Sequence, residues 1–134
     1  MPGPGQQDAG SFVTKASPRG VAGTVSRLTG LVEARGMKVF AVIDQRAEAR
    51  EAGLDLRETV LVLFGNPAAG TPVMAAAPLA ALDLPLRVVV WRDGEQAKVS
   101  YLAPAALAAR HGLGPGLAAP LAGIDALTDA LVAP

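Results

Sequence analysis

The residues best placed to do chemistry lie between Val60 and Ala75, VLVLFGNPAAGTPVMA, where an apolar run breaks into Gly-Asn-Pro and then Gly-Thr-Pro. Gly65 and Gly70 keep the spacing of the outer glycines in the phosphate-binding loop G-x-x-x-x-G-K-[ST], but Thr71 stands where that loop needs Lys. Without the Lys nothing reaches the terminal phosphates, and nucleotide hydrolysis is excluded. A smaller role stays open. Pro67 pushes Asn66 toward extended backbone, which leaves its amide at the end of a strand. Thr71 and Pro72 have the form of a helix start, whose first amide hydrogens lack intrahelical partners and attract carboxylate or phosphate groups. One reading is therefore a small anion held between Asn66 and the Thr71 hydroxyl. The other is that Asn66 ties its own turn and Thr71 merely caps.

His111 is the single histidine; it follows Arg110 and precedes Gly112 at an expected helix end. A cation there meets the helix dipole favourably, by about 0.3–1 kcal/mol. As a general base it would need a pocket within hydrogen-bond reach, and no Ser or Cys partner stands in a recognisable motif. One His and no Cys supply too few ligands for zinc, so no metal and no cofactor are expected. Asp44 and Asp83 either meet Arg87 across the sheet edge or shape turns. Trp91 and Tyr101 fall on two neighbouring strands, as a cross-strand pair or as pocket walls, and the Tyr101 hydroxyl needs a partner if buried. The candidate ligand-binding set is Gly65, Asn66, Thr71, Arg87 and Tyr101, with His111 as the one catalytic candidate.

The elements that must position these residues follow from periodicity. Ser11 to Ala16 alternates as a short strand. Ser17 and Pro18 suit a helix cap and first turn, and Val21, Val25, Leu28 and Val32 form one apolar face up to Gly36. Met37 to Asp44 reads as a strand and Gln45 to Ala52 as a short charged helix. Thr59 to Phe64 is nearly all apolar, the pattern of a central strand covered on both faces. Thr71 to Ala77 reads as a helix, and a short piece from Pro78 ends near Pro85. Leu86 to Arg92 and Gln96 to Leu102 flank Asp93-Gly94, a hairpin signal. Ala103 to Arg110 is helical, and a final helix from Pro120 to Val132 buries Leu121, Ile124, Leu127 and Leu131. The hairpin argues against a purely parallel sheet. The expected fold is α+β, two layers, with a mixed, mainly antiparallel sheet and helices largely on one face.

Composition narrows the function classes. The 134 residues suggest one domain, taken as 11–134 after an N-terminal tail of residues 1–10. Lys plus Arg and Asp plus Glu number 12 each, so no basic excess serves nucleic acid or anionic lipid. The apolar runs are far shorter than the roughly 20 residues of a membrane-spanning helix. The start, MPGPGQQDAG, lacks the basic and apolar regions of a signal peptide, and the cytoplasm is the expected location.

Three blocks in order, FGNPAAGTPVM, ALDLPLRVVVWRDGEQAKVSY and LAARHGL, resemble a bacterial family known as domain of unknown function 302, in the branch whose turn reads Phe-Gly-Asn-Pro. The resemblance covers almost everything from Phe12 onward. It implies a compact TATA-binding-protein-like sandwich and a homodimer, and no activity. Other members carry Cys just before the Asn-Pro pair and just after the Leu-Pro pair. Here those positions are Gly65 and Leu86, so no thiol role carries over. Three functions are weighed: a homodimeric protein binding a small, possibly anionic ligand near the Gly-Asn-Pro turn; an enzyme using His111 as base on a small organic substrate; and an interaction module built on the hairpin and Trp91.

Overall fold

The computed structural model describes residues 11–134; the expected tail lies outside them. Five strands form one sheet in the order β1-β5-β4-β3-β2: β1 Phe12–Ser17, β2 Lys38–Asp44, β3 Thr59–Gly65, β4 Leu86–Asp93 and β5 Gln96–Leu102. Every pairing among them is antiparallel, so the parallel component of the expected mixed sheet does not appear among the described residues. The fold is α+β. The β4–β5 hairpin turns at Gly94, whose φ of 62° is a left-handed conformation that glycine adopts without a Cβ penalty.

Period-2 alternation assigns the sheet faces. Val62, Phe64, Val88, Val90, Val99 and Tyr101 point to one side and are buried there against α1 (Val21–Ala34) and α6 (Ile124–Leu131). Leu28 and Val32 of α1 and Leu127 and Leu131 of α6 complete that core. Leu61, Leu63 and Val89 point to the other side and are only half-buried. This corrects the expectation that β3 is central and covered on both faces: β4 holds the middle of the sheet, and β3 is next to the edge strand β2.

A second, smaller core of Val73, Ala80, Leu84, Leu107 and Leu121 closes one end of the sheet. It joins α3 (Pro67–Ala76), the 3-10 turn Pro78–Leu82, α4 (Pro104–His111) and the 3-10 turn Ala119–Gly123 that follows the short α5 (Pro115–Ala118).

Two other expectations change. Ser17 does not cap α1; it ends β1 and bonds the Thr24 hydroxyl at 2.7 Å, and α1 starts after Gly20. The expected final helix is divided at Gly123, although Leu121, Ile124, Leu127 and Leu131 are all buried as the stripe required.

Candidate functional site

The Gly-Asn-Pro turn is the N-terminus of α3. Asn66 is extended, with φ −114° and ψ 113°, as a residue before proline should be, and its side chain accepts from the Ala68 amide at 2.9 Å. Pro67 takes the first helical position, where a missing N–H costs nothing. The expected start at Thr71 is thus corrected. Thr71 lies within α3 and caps nothing, and Pro72 is an interior proline on an exposed face of the helix. Pro72 leaves the Ala68 carbonyl without its intrahelical N–H partner, and Ala68 and Pro72 are both exposed residues.

The consequence for chemistry is direct. The amides of Ala69 and Gly70 both bond the Asn66 carbonyl, at 2.9 and 3.0 Å, and Ala68 bonds its side chain. Pro67 has no amide hydrogen. No N–H at this helix start is left to receive an anion, which removes the basis of the anionic reading.

A hollow of about 410 Å³ nevertheless opens beside the turn. Gly65, Asn66, Gly70 and Thr71 line it together with the adjoining segment Leu84–Leu86. Met37, Phe40 and Met74 make the hollow mostly apolar. Phe40 reaches it because β2 shifts register between Val39 and Ala41, which turns that residue out of the ladder. The polar handles are few: among the described residues the Asn66 Nδ2 and the Thr71 Oγ1 have no hydrogen-bond partner.

Arg87 and Tyr101 do not reach this hollow. They line a second one of about 260 Å³, together with Asp83, Ser100 and Arg110, and only Leu86 is common to both. Tyr101 is fully committed. Its hydroxyl donates to Asp125 Oδ1 at 2.5 Å, and Thr128 Oγ1 lies 3.2 Å away. Burial, reinforced by Asp125, pushes the Tyr101 hydroxyl up from its ordinary value, so it is a neutral donor and not a base. Lys15 sits 5.4 Å from its ring centre and bonds Thr128 and Asp129 at 2.7 and 2.8 Å. Trp91 lies on the opposite sheet face from Tyr101; the two are not a cross-strand pair, and the indole N–H donates to Ser100 at 2.9 Å.

His111 lines neither hollow. It closes α4 before Gly112, which is left-handed with φ 62°, and its Nε2 lies 2.6 Å from Asp83 Oδ2. Arg110 Nη1 lies 3.2 Å from both Asp83 oxygens. Burial pushes the Asp83 carboxyl up, but the hydrogen bonds from His111 and Arg110 outweigh it and hold the group below the usual carboxylate range. Asp83 therefore serves α4 and not Arg87, and Asp44 caps α2 (Gln45–Glu51) by accepting from Ala47 at 3.0 Å. Among the described residues no three His, Asp or Glu side chains gather as metal ligands.

The family model described as domain of unknown function DUF302 matches residues 13–131. A solved structure of an uncharacterized conserved DUF302 protein from Bacillus stearothermophilus superposes with a TM-score of 0.77 at 23% identity, covering 91% of this chain and 95% of that one. That likeness is one of fold. Among curated proteins, the chain is 43% identical over 104 residues to the fluoride-specific ion channel FluC 1 of Brucella suis biovar 1, covering 77% of this chain and 41% of that protein. The fluoride-specific ion channel FluC 2 of Brucella melitensis biotype 1 matches at 43% over 104 residues, covering 77% and 38%. The chain thus spans about two fifths of the length of these relatives. No helix among the described residues is long and apolar enough to cross a membrane.

Proposed function

The chain belongs to the DUF302 family, and from its site we propose that it is a binding domain for a small, neutral, mostly apolar molecule held at the Gly-Asn-Pro turn. The observation that carries this reading is the apolar hollow of about 410 Å³ beside a turn whose amides are already bonded to one another. Its volume falls in the range of roughly 300–1,000 Å³ typical of small-molecule sites. Burial of ligand surface supplies the affinity, at about 25 cal/mol per Å². The Asn66 Nδ2 selects a hydrogen-bond acceptor on the ligand. A charged ligand is disfavoured, because Asn66 and Thr71 offer dipoles only.

Catalysis by His111 draws no support, since the ring lines neither hollow. For assembly our reading is the homodimer that the family resemblance implies. In the Brucella relatives, the shared segment is on this reading an attached binding module and not the pore.

Cyclohexanone tests the site, being apolar, neutral and equipped with one acceptor. Titrated into the protein, it should shift the backbone amides of Gly65, Asn66, Gly70 and Thr71 saturably, and Gly70→Leu should abolish the effect by filling the hollow. Shifts scattered over the surface, or unchanged in the Gly70→Leu protein, would remove the reading.

A further inference from the structure

The ladder between β4 and β5 stops short. Pairing runs from Asp93–Gln96 to Val89–Ser100, yet β4 extends to Leu86 and β5 to Leu102. Continued in register, Val88 would face Tyr101 and Arg87 would face Leu102. Each strand is held on its other side: Leu86 pairs with Phe64 of β3, and Leu102 with Phe12 of β1. The sheet therefore forks between β4 and β5. The hollow of about 260 Å³ occupies the fork, which explains why its walls come from both sheet faces, Val89 and Ser100 from one and Leu86 and Tyr101 from the other.

The side chains around the gap divide by character. Leu61, Val89, Leu102 and Leu107 give an apolar floor, and two guanidinium groups, Arg87 and Arg110, stand at its polar side. Arg110 is already neutralised by Asp83. Arg87 makes no ion pair among the described residues, and its one hydrogen bond, to the Leu82 carbonyl, is long at 3.4 Å. An unpaired guanidinium beside an apolar gap matches an amphipathic acid. We propose that the fork binds a short organic monocarboxylate, its carboxylate on Arg87 and its hydrocarbon part against Leu61, Val89 and Leu102. The volume lies below the roughly 300–1,000 Å³ of drug-sized sites, which restricts the ligand to short chains. This site is separate from the turn hollow and takes an anionic rather than a neutral ligand.

The protein contains its own reporter. Trp91, the single tryptophan, donates its indole N–H to the lining residue Ser100. Sodium butyrate should change Trp91 fluorescence saturably and shift the amides of Arg87, Ser100 and Leu102. Charge-assisted hydrogen bonds make the carboxylate the discriminating group, so butyramide should bind at least about tenfold more weakly. Arg87→Gln should weaken butyrate by about tenfold or more, with Arg87→Lys intermediate because it keeps the charge without the fork of donors. Arg87 is exposed, and circular dichroism should confirm that both variants fold. The proposal is overturned by a wild-type protein with no saturable response in fluorescence or amide shifts, by equal binding of butyramide, by an Arg87→Gln protein that binds as well as wild type, or by shifts confined to Gly65–Thr71. Loss of the butyrate response with the cyclohexanone response at the turn intact, or the reverse, separates the two readings.

Discussion

Asp83 is shared unequally between two residues of α4, and that inequality can be measured. Its carboxylate meets His111 Nε2 at 2.6 Å, where the His111 side chain is 9% exposed and that of Asp83 21% exposed. It meets Arg110 at 3.2 Å, where Arg110 is 53% exposed. A part-buried hydrogen bond to a charged group contributes about 1.5–3 kcal/mol. An ion pair as open as that with Arg110 contributes about 0–1 kcal/mol after screening. Asp83→Ala should therefore destabilise the protein by about 2–3 kcal/mol. The cycle pairing Asp83→Ala with His111→Ala should give a coupling of about 1.5 kcal/mol or more, and the cycle with Arg110→Ala less than about 1 kcal/mol. Urea denaturation at neutral pH and low salt reads all of these. If the Arg110 coupling equals or exceeds that of His111, burial does not govern the strength of these contacts and the account of the Asp83 anchor is wrong.

The same carboxylate sets a pH response. Its folded value is lowered, so its contribution is complete above the unfolded carboxylate pKa of about 3.9 and is lost as pH falls through that value toward the folded one. The stability gap between wild type and Asp83→Asn should close over this acid window, as read by urea midpoints across pH. Asn66→Ala should cost about 1 kcal/mol through loss of the cap on Ala68, measured by thermal melting. Gly70→Ala should stabilise by up to about 1 kcal/mol: Gly70 lies in α3, and a Cβ there would sit 3.9 Å from the Leu84 and Met74 side chains, an ordinary contact. Phe64→Ala, at a fully buried position in the main core, should cost about 3–5 kcal/mol, and a urea midpoint close to wild type would contradict the assigned core.

Much of the fold was legible because periodicity reports burial. The α1 face of Val21, Leu28 and Val32 and the stripe from Leu121 to Leu131 are both core, and the hairpin at Asp93-Gly94 forms with Gly94 left-handed. The error at the turn came from reading Pro72 as a boundary. Asn66-Pro67 carried the same cap-and-proline signal, and an interior proline is tolerated where the freed carbonyl meets water. β3 looked central because its outward residues are apolar, yet Leu61 and Leu63 are only half-buried, and residue type alone does not distinguish a helix cover from an open face. The candidate residues fall into two groups: Gly65, Asn66 and Thr71 line one hollow, Arg87 and Tyr101 another. That division depends on where the β4–β5 ladder stops, a long-range fact with no local sequence signal. Asp83 was weighed against Arg87, because the approach of α4 to the LDLP segment is likewise a tertiary contact.

The claim on which the functional reading rests is that the hollow beside Asn66 and Gly70 holds a molecule. Mass spectrometry of small molecules released from protein purified under native conditions tests it most directly, with the Gly70→Leu protein prepared in parallel. The account predicts a neutral, mostly apolar compound with a hydrogen-bond acceptor, released from the wild type and missing from the variant. Release of nothing from the wild type, or of the same compound in the same amount from both proteins, would contradict it.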